Sequence, residues 1–588
     1  MKHCKRFLPL ALSAALLAGC SPQASEPQPE PPAANTGTVA YVPLDDRPDN
    51  AERAVYLAQS LGYRVSMPEE VLYRTALDGQ EKNFDALQRG EPWSLSTWVL
   101  QQEEQGCDHY ILSLDQLHSG GLVSSRSLTG DELDLPGGGT VSASQILGNL
   151  LAKLAEDENN VVWLLDSVMR LAPTVGYGGF GLNEYNALRN YGMASRPHLS
   201  GGSLTVGKIV DDYPLSADGS PLAVQSEQLL PENAVENYLA ARERKLRLSD
   251  QVQHILAQPG YENFHLLIGV DDSSAEDSIQ RNEIAYLRAN LREGDALLSG
   301  VDDLAFKAVA KLYLDHCGWQ GADIQISYFG GTEDQPACAY DYQPLDAIVQ
   351  EHLDFFGLRR AETGKLALLV LTQPAEESQK NAYIQALIRQ LNANQKNGLP
   401  TILMDAANNT YGTVFHDALT RQADLGWPLA YSGFLDMAIV TGTALSHGVA
   451  RYAWLRHGEP ADFSSSLAFA RTLADSVVKD FCYRNTVRDE LYAYVRDTMG
   501  GSPDNFCNPP IDSAAVQARL AEEMEKSTQA VLKNFRRSNL IVGLEPYTEQ
   551  GWGNMTLSDW SFPWQRVFEI RMDIAPGMFT DPHKGWFR

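Results

Sequence analysis

VAYVPLDDRPDN, residues 39–50, decides the fold class, because an apolar run of strand-forming residues ends in two acids and a helical segment follows. Short runs rich in β-branched and aromatic residues alternate with longer segments of helical period as far as about residue 463. This alternation is typical of proteins with mainly parallel sheets. We therefore expect an α/β fold whose βα units form either a TIM-like barrel or doubly wound parallel sheets.

The expected elements follow from hydrophobic period and length. Strands are expected at residues 39–44, 110–114, 161–165, 265–270, 296–300, 324–329, 366–371, 401–404 and 429–432. Helices are expected at residues 50–62, 143–156, 234–257, 277–292, 304–316 and 380–394. Two further helices, at residues 465–498 and 514–535, and short strands near residues 567–573 predict a separate C-terminal region.

Acidic side chains recur where these expected strands end. They are Asp45, Asp46, Asp115, Asp166, Asp271, Asp272, Asp302, Asp303 and Asp405. A single acid at such a junction is usually a helix cap or a turn residue. The carboxyl ends of parallel strands, however, meet at one edge, where ligands bind. Carboxylates crowded there repel one another, which separates the pKa values of an acid and a base.

Asp271 and Asp272 are the candidate catalytic acid and base. Adjacent strand residues point to opposite faces, so one carboxylate should enter the site while the other orients it. Paired carboxylates are the groups with which glycoside hydrolases work, including those that use an amide of the substrate. The expected substrate-binding residues are Asp45, Asp46, Arg47, Asp115, Arg126, Asp302, Asp405 and Asn409.

Composition and missing motifs narrow the function. The net charge of −28 argues against nucleic acid and favours neutral or cationic substrates unless a local basic patch intervenes. The sequence lacks HExxH, Walker-type and GxSxG motifs and has no GxGxxG directly after an expected strand, so we expect no cofactor and no dedicated metal site. A calcium or magnesium ion among the carboxylates is the alternative. One disulfide, Cys482 with Cys507, is the candidate pair if the compartment is oxidising.

The N-terminus predicts export and lipidation. Residues 1–19 combine a basic start with a short apolar run and read as a signal peptide. LAGC at residues 17–20 resembles the bacterial lipobox, in which the cysteine, here Cys20, is acylated. Ser21 in place of an aspartate favours the outer membrane of the cell envelope. Residues 20–37 are a polar tether, residues 38–463 the α/β body and residues 464–588 the C-terminal region.

Several motifs carry a resemblance to a known family. YVPLDDRP at residues 41–48 and LSLDQLHSGGLVSSR at residues 112–126 are specific, while TGTAL at 441–445 and FPWQRVFE at 562–569 are looser. With these motifs the chain resembles a bacterial family known as domain of unknown function 4127, over nearly all of its mature length. The resemblance implies that the two N-terminal loops matter, and it implies no particular activity.

The sequence thus predicts an extracytoplasmic lipoprotein that hydrolyses glycosides of the envelope or the environment. Its expected partners are a glycan or another small-molecule substrate and, through the lipid, a membrane. Two alternatives remain open at this point. One is a metal-dependent hydrolase of another bond, and the other is a glycan-binding lipoprotein without catalysis.

Overall fold

A computed structural model describes residues 36–83, 87–127, 132–134, 138–222, 230–275, 277–331, 333, 335–433, 436–457, 463–535 and 555–575. The expected signal peptide, Cys20 and nearly all of the tether lie outside these residues. Within them, no helix combines the length and the apolar character that crossing a membrane requires.

The described strands alternate with helices through most of the chain. The strands are β1 (Gly37–Val42), β2 (Tyr63–Ser66), β3 (His109–Ser113), β4 (Glu132–Asp134), β5 (Thr140–Ser142), β6 (Val161–Val168), β7 (Phe264–Val270), β8 (Ala296–Ser299), β9 (Ala322–Phe329), β10 (Leu358–Arg360), β11 (Leu366–Leu371), β12 (Thr401–Asp405), β13 (Ala430–Gly433), β14 (Thr556–Ser561) and β15 (Arg571–Ala575).

The described helices are α1 (Pro48–Ala51), α2 (Arg53–Ser60), α3 (Pro92–Glu104), α4 (Leu114–Ser119), α5 (Leu122–Ser125), α6 (Ala143–Leu154), α7 (Leu182–Met193), α8 (Val206–Asp212), α9 (Ala234–Leu256), α10 (Gln280–Ala289), α11 (Leu304–His316), α12 (Leu345–Phe355), α13 (Lys380–Asn397), α14 (Gly412–Gln422), α15 (Met437–His457), α16 (Phe463–Ser476), α17 (Arg488–Ala493) and α18 (Ser513–Leu532). Two π-helical stretches, Val477–Val487 and Tyr494–Thr498, flank α17.

Two parallel sheets form the frame of the protein. The first has the strand order β2-β1-β3-β6-β7-β8, and the second has the order β10-β9-β11-β12-β13. Every pairing within both sheets is parallel. The expected α/β class with parallel sheets is confirmed, and the described strands form two open sheets without closing a barrel.

Both sheets reverse their winding at the corresponding place. In each, the second strand along the chain lies outside the first, and the third lies on the other side of the first. The switch points are therefore between β1 and β3 and between β9 and β11. Open parallel sheets bind ligands at the carboxyl edge of such a switch point, because the two neighbouring loops diverge there and leave a crevice.

One continuous core joins the two sheets. Buried side chains of the first sheet, such as Val39 and Leu267, belong to the same apolar cluster as Leu368 and Ile402 of the second. Helices α11 and α15 pack against each other between the sheets. Strands covered on both faces by helices bury both sets of side chains, which explains the uninterrupted apolar runs in the sequence.

The TGTAL segment lies where α15 meets α11. A Cβ atom on Gly442 would come within 1.6 Å of Oδ2 of Asp303, so only glycine allows this approach. Asp303 is fully buried, and its Oδ2 lies 2.9 Å from Nζ of Lys307. Burial raises the pKa of Asp303 to about 6, against the opposing effect of Lys307. The motif therefore serves the packing of the two helices.

The C-terminal residues pack closely on both sheets. Phe481, Leu520 and Ile574 share an apolar cluster with Leu371 and Leu403 of the second sheet. On the other side, the guanidinium of Arg53 in α2 forms buried ion pairs of 3.2 Å with Asp475 and with Asp480. The strands β14 and β15 pair in a hairpin whose connection carries the FPWQRVFE motif.

Two local expectations need correction. Cys482 and Cys507 are free thiols, because Cys482 is buried in the π-helical stretch while Cys507 lies by Gln565, with Sγ 3.3 Å from Oε1. Asp166 does not follow its strand but lies inside β6. The strand continues through this acid because a buried lysine, Lys245, holds the carboxylate at 2.5 Å.

Candidate functional site

A cavity of about 310 Å³ lies at the carboxyl edge of the first sheet, where three parts of the chain meet. The first sheet supplies polar residues to its wall, namely Arg47, Arg126, Arg170, Asp271, Asp272 and Asp302. Tyr340 and Asp436 come from loops of the second sheet, and Asp504, Trp564, Arg566 and Phe568 come from the C-terminal region. A chamber of about 30 Å³ adjoins it and shares Asp271, Asp272, Asp302, Tyr340 and Asp436.

The loop after β1 is organised by Asp45. One oxygen of this buried carboxylate accepts hydrogen bonds from the backbone N–H of Arg47, at 3.0 Å, and from the side chain of Asn50, at 2.9 Å. The other accepts from Nε of Arg47 at 2.9 Å. Pro48 occupies the first turn of α1 and fixes the backbone there. Arg47 then reaches the cavity wall, where it holds Asp302 through two hydrogen bonds of 2.5 and 3.2 Å.

Asp46 anchors the C-terminal wall of the cavity from behind. Its Oδ1 accepts a hydrogen bond of 2.8 Å from the indole N–H of Trp564 and one of 2.9 Å from the backbone of Thr75. Burial raises the pKa of Asp46 to about 7, although these two bonds oppose the change. The guanidinium groups of Arg47 and Arg566 lie 5.0 and 4.6 Å from the ring centre of Trp564.

Asp115 belongs to a buried ion cluster away from the cavity. Nζ of Lys245 lies 2.6 Å from Asp115 and 2.5 Å from Asp166, and Ser167 donates to Asp115 at 2.8 Å. Burial lowers the pKa of Lys245, but the two carboxylates raise it by more, so the net direction is upward. These ion pairs connect α9 to the residues that follow β3 and to the C-terminal half of β6.

Asp271 and Asp272 point in different directions, as their positions after β7 predict. Asp271 accepts from Arg126 at 2.5 Å and from the backbone N–H of Asp272 at 2.9 Å, which occupies both of its oxygens. Arg126 also donates to Thr174 at 2.6 Å. Burial raises the pKa of Asp271, but Arg126 and Arg170 lower it by more. The net direction is downward.

Asp272 faces the cavity beside a second arginine. One of its oxygens lies 2.5 Å from the guanidinium of Arg170, which also donates to the hydroxyl of Tyr185 at 3.0 Å. Burial raises the pKa of Asp272, and the charges of Asp271 and Asp302 add to this, while Arg170 opposes it. The net direction is upward, opposite to that of Asp271.

Asp436 completes a cluster of carboxylates at one end of the cavity. Burial, followed by the charges of Asp272, Asp341 and Asp302, raises its pKa well above the ordinary value. Asp341 is itself occupied, because its oxygens accept from the backbone N–H groups of Met437 and Ala438 at 3.1 Å and so cap α15. Burial and the neighbouring carboxylates thus raise the pKa values of both Asp272 and Asp436, while Arg170 opposes the rise at Asp272.

The structure brings together some of the expected site residues and separates others. Arg47, Arg126, Asp271, Asp272 and Asp302 line the cavity, with Asp45 and Asp46 directly behind its wall. Asp115 lies in the buried ion cluster. Asp405 and Asn409 lie at the edge of the second sheet, where Asp405 accepts from the backbone of Ala407 at 3.0 Å and Asn409 lies 3.5 Å from Asp489.

Sequence reasoning did not identify several residues of the cavity. Asp436 lies four positions after the strand expected at residues 429–432. The search for acids directly after expected strands would have found it if it had allowed a slightly longer loop. Trp564, Arg566 and Phe568 belong to FPWQRVFE, which was visible as a motif without a role. Arg170 and Tyr340 carry no comparable signal.

Among the described residues, no group of three or more His, Cys, Asp or Glu side chains is arranged to hold a metal ion. A family model described as "Protein of unknown function (DUF4127)" matches residues 39–573. No curated protein and no solved structure matches the chain.

Proposed function

The chain belongs to the DUF4127 family, and since that membership names no activity, we propose from the chemistry of the cavity that the protein hydrolyses glycosidic bonds. The observation that carries the proposal is the pair Asp272 and Asp436. Burial and neighbouring carboxylates raise the pKa of Asp436, which favours its protonated form, while Arg170 lies 2.5 Å from Asp272 and opposes the protonation of that carboxylate. Glycoside hydrolysis requires this combination of an acid and a carboxylate in one site.

In the proposed reaction Asp436 donates its proton to the glycosidic oxygen as the bond from that oxygen to the anomeric carbon breaks. A water oxygen forms the new bond to the anomeric carbon, and its proton passes to the carboxylate of Asp272. Asp271 does not transfer a proton in this scheme, because both of its oxygens are occupied. It positions Arg126 and the backbone of Asp272.

The remaining wall suits a sugar. The cavity volume of about 310 Å³ is at the lower end of the range for small-molecule sites. Paired arginine and aspartate side chains, such as Arg47 with Asp302, present donors and acceptors in fixed positions for ring hydroxyls. Tyr185 and Tyr340 add aromatic surface on which a sugar ring packs.

One observation favours a second function, recognition of a glycan without turnover. Asp271, Asp272 and Asp302 all carry an arginine partner. Such ion-paired carboxylates are rigid hydrogen-bonding groups that suit binding as well as catalysis. The two functions differ in whether a bound glycan is cleaved.

A panel of bacterial and plant polysaccharides tests the proposal. We expect the purified protein to release reducing sugars from at least one member, and Asp272→Asn to lower that rate by about 10²–10⁴-fold, the usual contribution of a general acid or base. Asp405→Asn is the matched control, because Asp405 is a buried strand-end acid of the second sheet and should leave the rate unchanged. If the protein binds a polysaccharide but releases no product from any of them, its function is glycan recognition and the proposed hydrolysis is wrong.

We also propose that the reaction takes place at the cell envelope, with the protein held by a lipid on Cys20. The support comes from the sequence of residues 1–20. Labelled palmitate should be incorporated into the wild-type protein and into Cys4→Ala, whose cysteine lies in the signal peptide. The label should be absent from Cys20→Ala, and this variant should no longer be found in the membrane fraction. Equal labelling of both variants would contradict lipidation at Cys20.

A further inference from the structure

Two arginines at one end of the cavity have hydrogen-bonding capacity that the protein does not use. The side chain of Arg126 is only 4% exposed, and two of its nitrogens donate to Asp271 and Thr174. Its Nε has no hydrogen-bond partner within the part of the chain that the structure describes. The same is true of Nε of Arg170, whose side chain is 17% exposed.

A third arginine of the wall shares this condition. Arg566 donates to Glu569 at 2.7 Å, while its Nε is buried and lacks a hydrogen-bond acceptor among the described residues. A buried donor without an acceptor destabilises the protein, and a charged donor does so more than a neutral one. A ligand that brings acceptor oxygens, after a small rotation of these side chains, would recover that free energy.

Arg126 and Arg170 lie close enough for their charges to interact. Burial lowers the pKa of Arg126, and the nearby charge of Arg170 adds to the effect, so that Asp271 offsets it only in part. Asp272, which lies 2.5 Å from Arg170, and Asp436 line the same cavity. Asp271 and Asp272 pair with these two arginines, and the donor that each guanidinium leaves unused is its Nε.

We infer that the cavity binds an acidic sugar, whose anionic substituent lies against Arg126 and Arg170 and whose glycosidic bond lies at Asp272 and Asp436. The inference rests on the proposed function and names its substrate class. A carboxylate, as in a uronic acid, and a sulfate ester share the chemistry that guanidinium groups recognise, namely two or three acceptor oxygens in a plane or fork.

Titration calorimetry on the full chain tests the inference without requiring turnover. The probes are the methyl glycosides of glucuronic acid, of glucose and of glucose 6-sulfate. We expect the uronide or the sulfate to bind at least about tenfold more tightly than the neutral glucoside, with affinity that falls as salt rises. The stronger of the two acidic probes identifies the substituent. Equal affinity of all three, or no binding of either acidic probe, would overturn the inference.

Two variants locate the anion. Arg170→Gln should remove the preference for the acidic probe while retaining affinity for the neutral one, and Arg126→Lys provides a second test that keeps the charge beside Asp271. Arg421→Gln, on the exposed surface, is the matched control and should bind as wild type does. Binding of a uronide without hydrolysis of any glycan would refute the proposed function alone. Hydrolysis confined to neutral glycans would refute this inference alone.

Discussion

Asp436→Asn is expected to lower glycoside turnover by about 10²–10⁴-fold, because an amide cannot donate the proton that the leaving oxygen requires. The protein itself should be as stable as wild type or more so at neutral pH. Burial and three neighbouring carboxylates raise the pKa of Asp436. Such a group contributes its full stability below the unfolded-state pKa and loses it as pH rises through the folded-state pKa. Asparagine imitates the neutral form and removes that loss.

The pH dependence of kcat/KM separates this role from a structural one. In the wild type, activity should fall at low pH as Asp272 gains a proton and at high pH as Asp436 loses one. In Asp436→Asn, the alkaline limb governed by Asp436 should disappear from the residual activity. Asp405→Asn again serves as the control and should show both limbs. If the alkaline limb is unchanged in Asp436→Asn, a group other than Asp436 donates the proton to the leaving oxygen.

Lys245→Met is expected to lower the free energy of unfolding by about 3–5 kcal/mol or more, the usual cost of leaving a buried charge without its partner. Lys245 is the cation between Asp115 and Asp166, and both carboxylates are fully buried. Methionine fills a similar volume, so packing changes little and electrostatics dominates. Denaturant unfolding at neutral pH measures the effect.

The triple variant Lys245→Met, Asp115→Asn, Asp166→Asn is the control and should recover most of the lost stability. The pH dependence has a defined sign as well. Without the lysine, the folded-state pKa of Asp115 rises further, so the variant should gain stability relative to wild type as pH falls and this carboxyl group binds a proton. A loss below about 1 kcal/mol in Lys245→Met, which is the range typical of exposed ion pairs, would contradict this account of the buried cluster.

Local sequence patterns predict individual elements of this fold better than their assembly. The strand expected at residues 366–371 is β11, and the strand expected at 401–404 lacks only the last residue of β12. Whether the strands close a barrel depends on pairing between strands that are distant in sequence. The sequences of β8 and β9 do not show that these two strands belong to different sheets. The sequence predicts that a strand ends just before Asp166. The contact that keeps Asp166 inside β6 is with Lys245, which lies 79 residues further along the chain, so no local pattern shows it.

The candidate site shows the same limit. Strand-end geometry correctly gathers Arg47, Asp271, Asp272 and Asp302 at one edge, since parallel strands place their carboxyl ends together. The same rule cannot tell that Asp405 ends a strand of the other sheet. Trp564 reaches the cavity through a hydrogen bond to Asp46 that spans 518 residues of sequence, and no local pattern encodes such a contact.

The measurement that tests the account most directly is the protonation of the carboxyl pair in the resting protein. Infrared difference spectra between wild type and Asp436→Asn report whether a protonated carboxyl group is lost with the substitution. At neutral pH the account predicts that the wild-type spectrum contains a carboxylic acid contribution that Asp436→Asn loses and Asp405→Asn keeps. If the wild type shows only an ionised carboxylate at this position, Asp436 holds no proton to donate and the proposed acid and base pair is wrong.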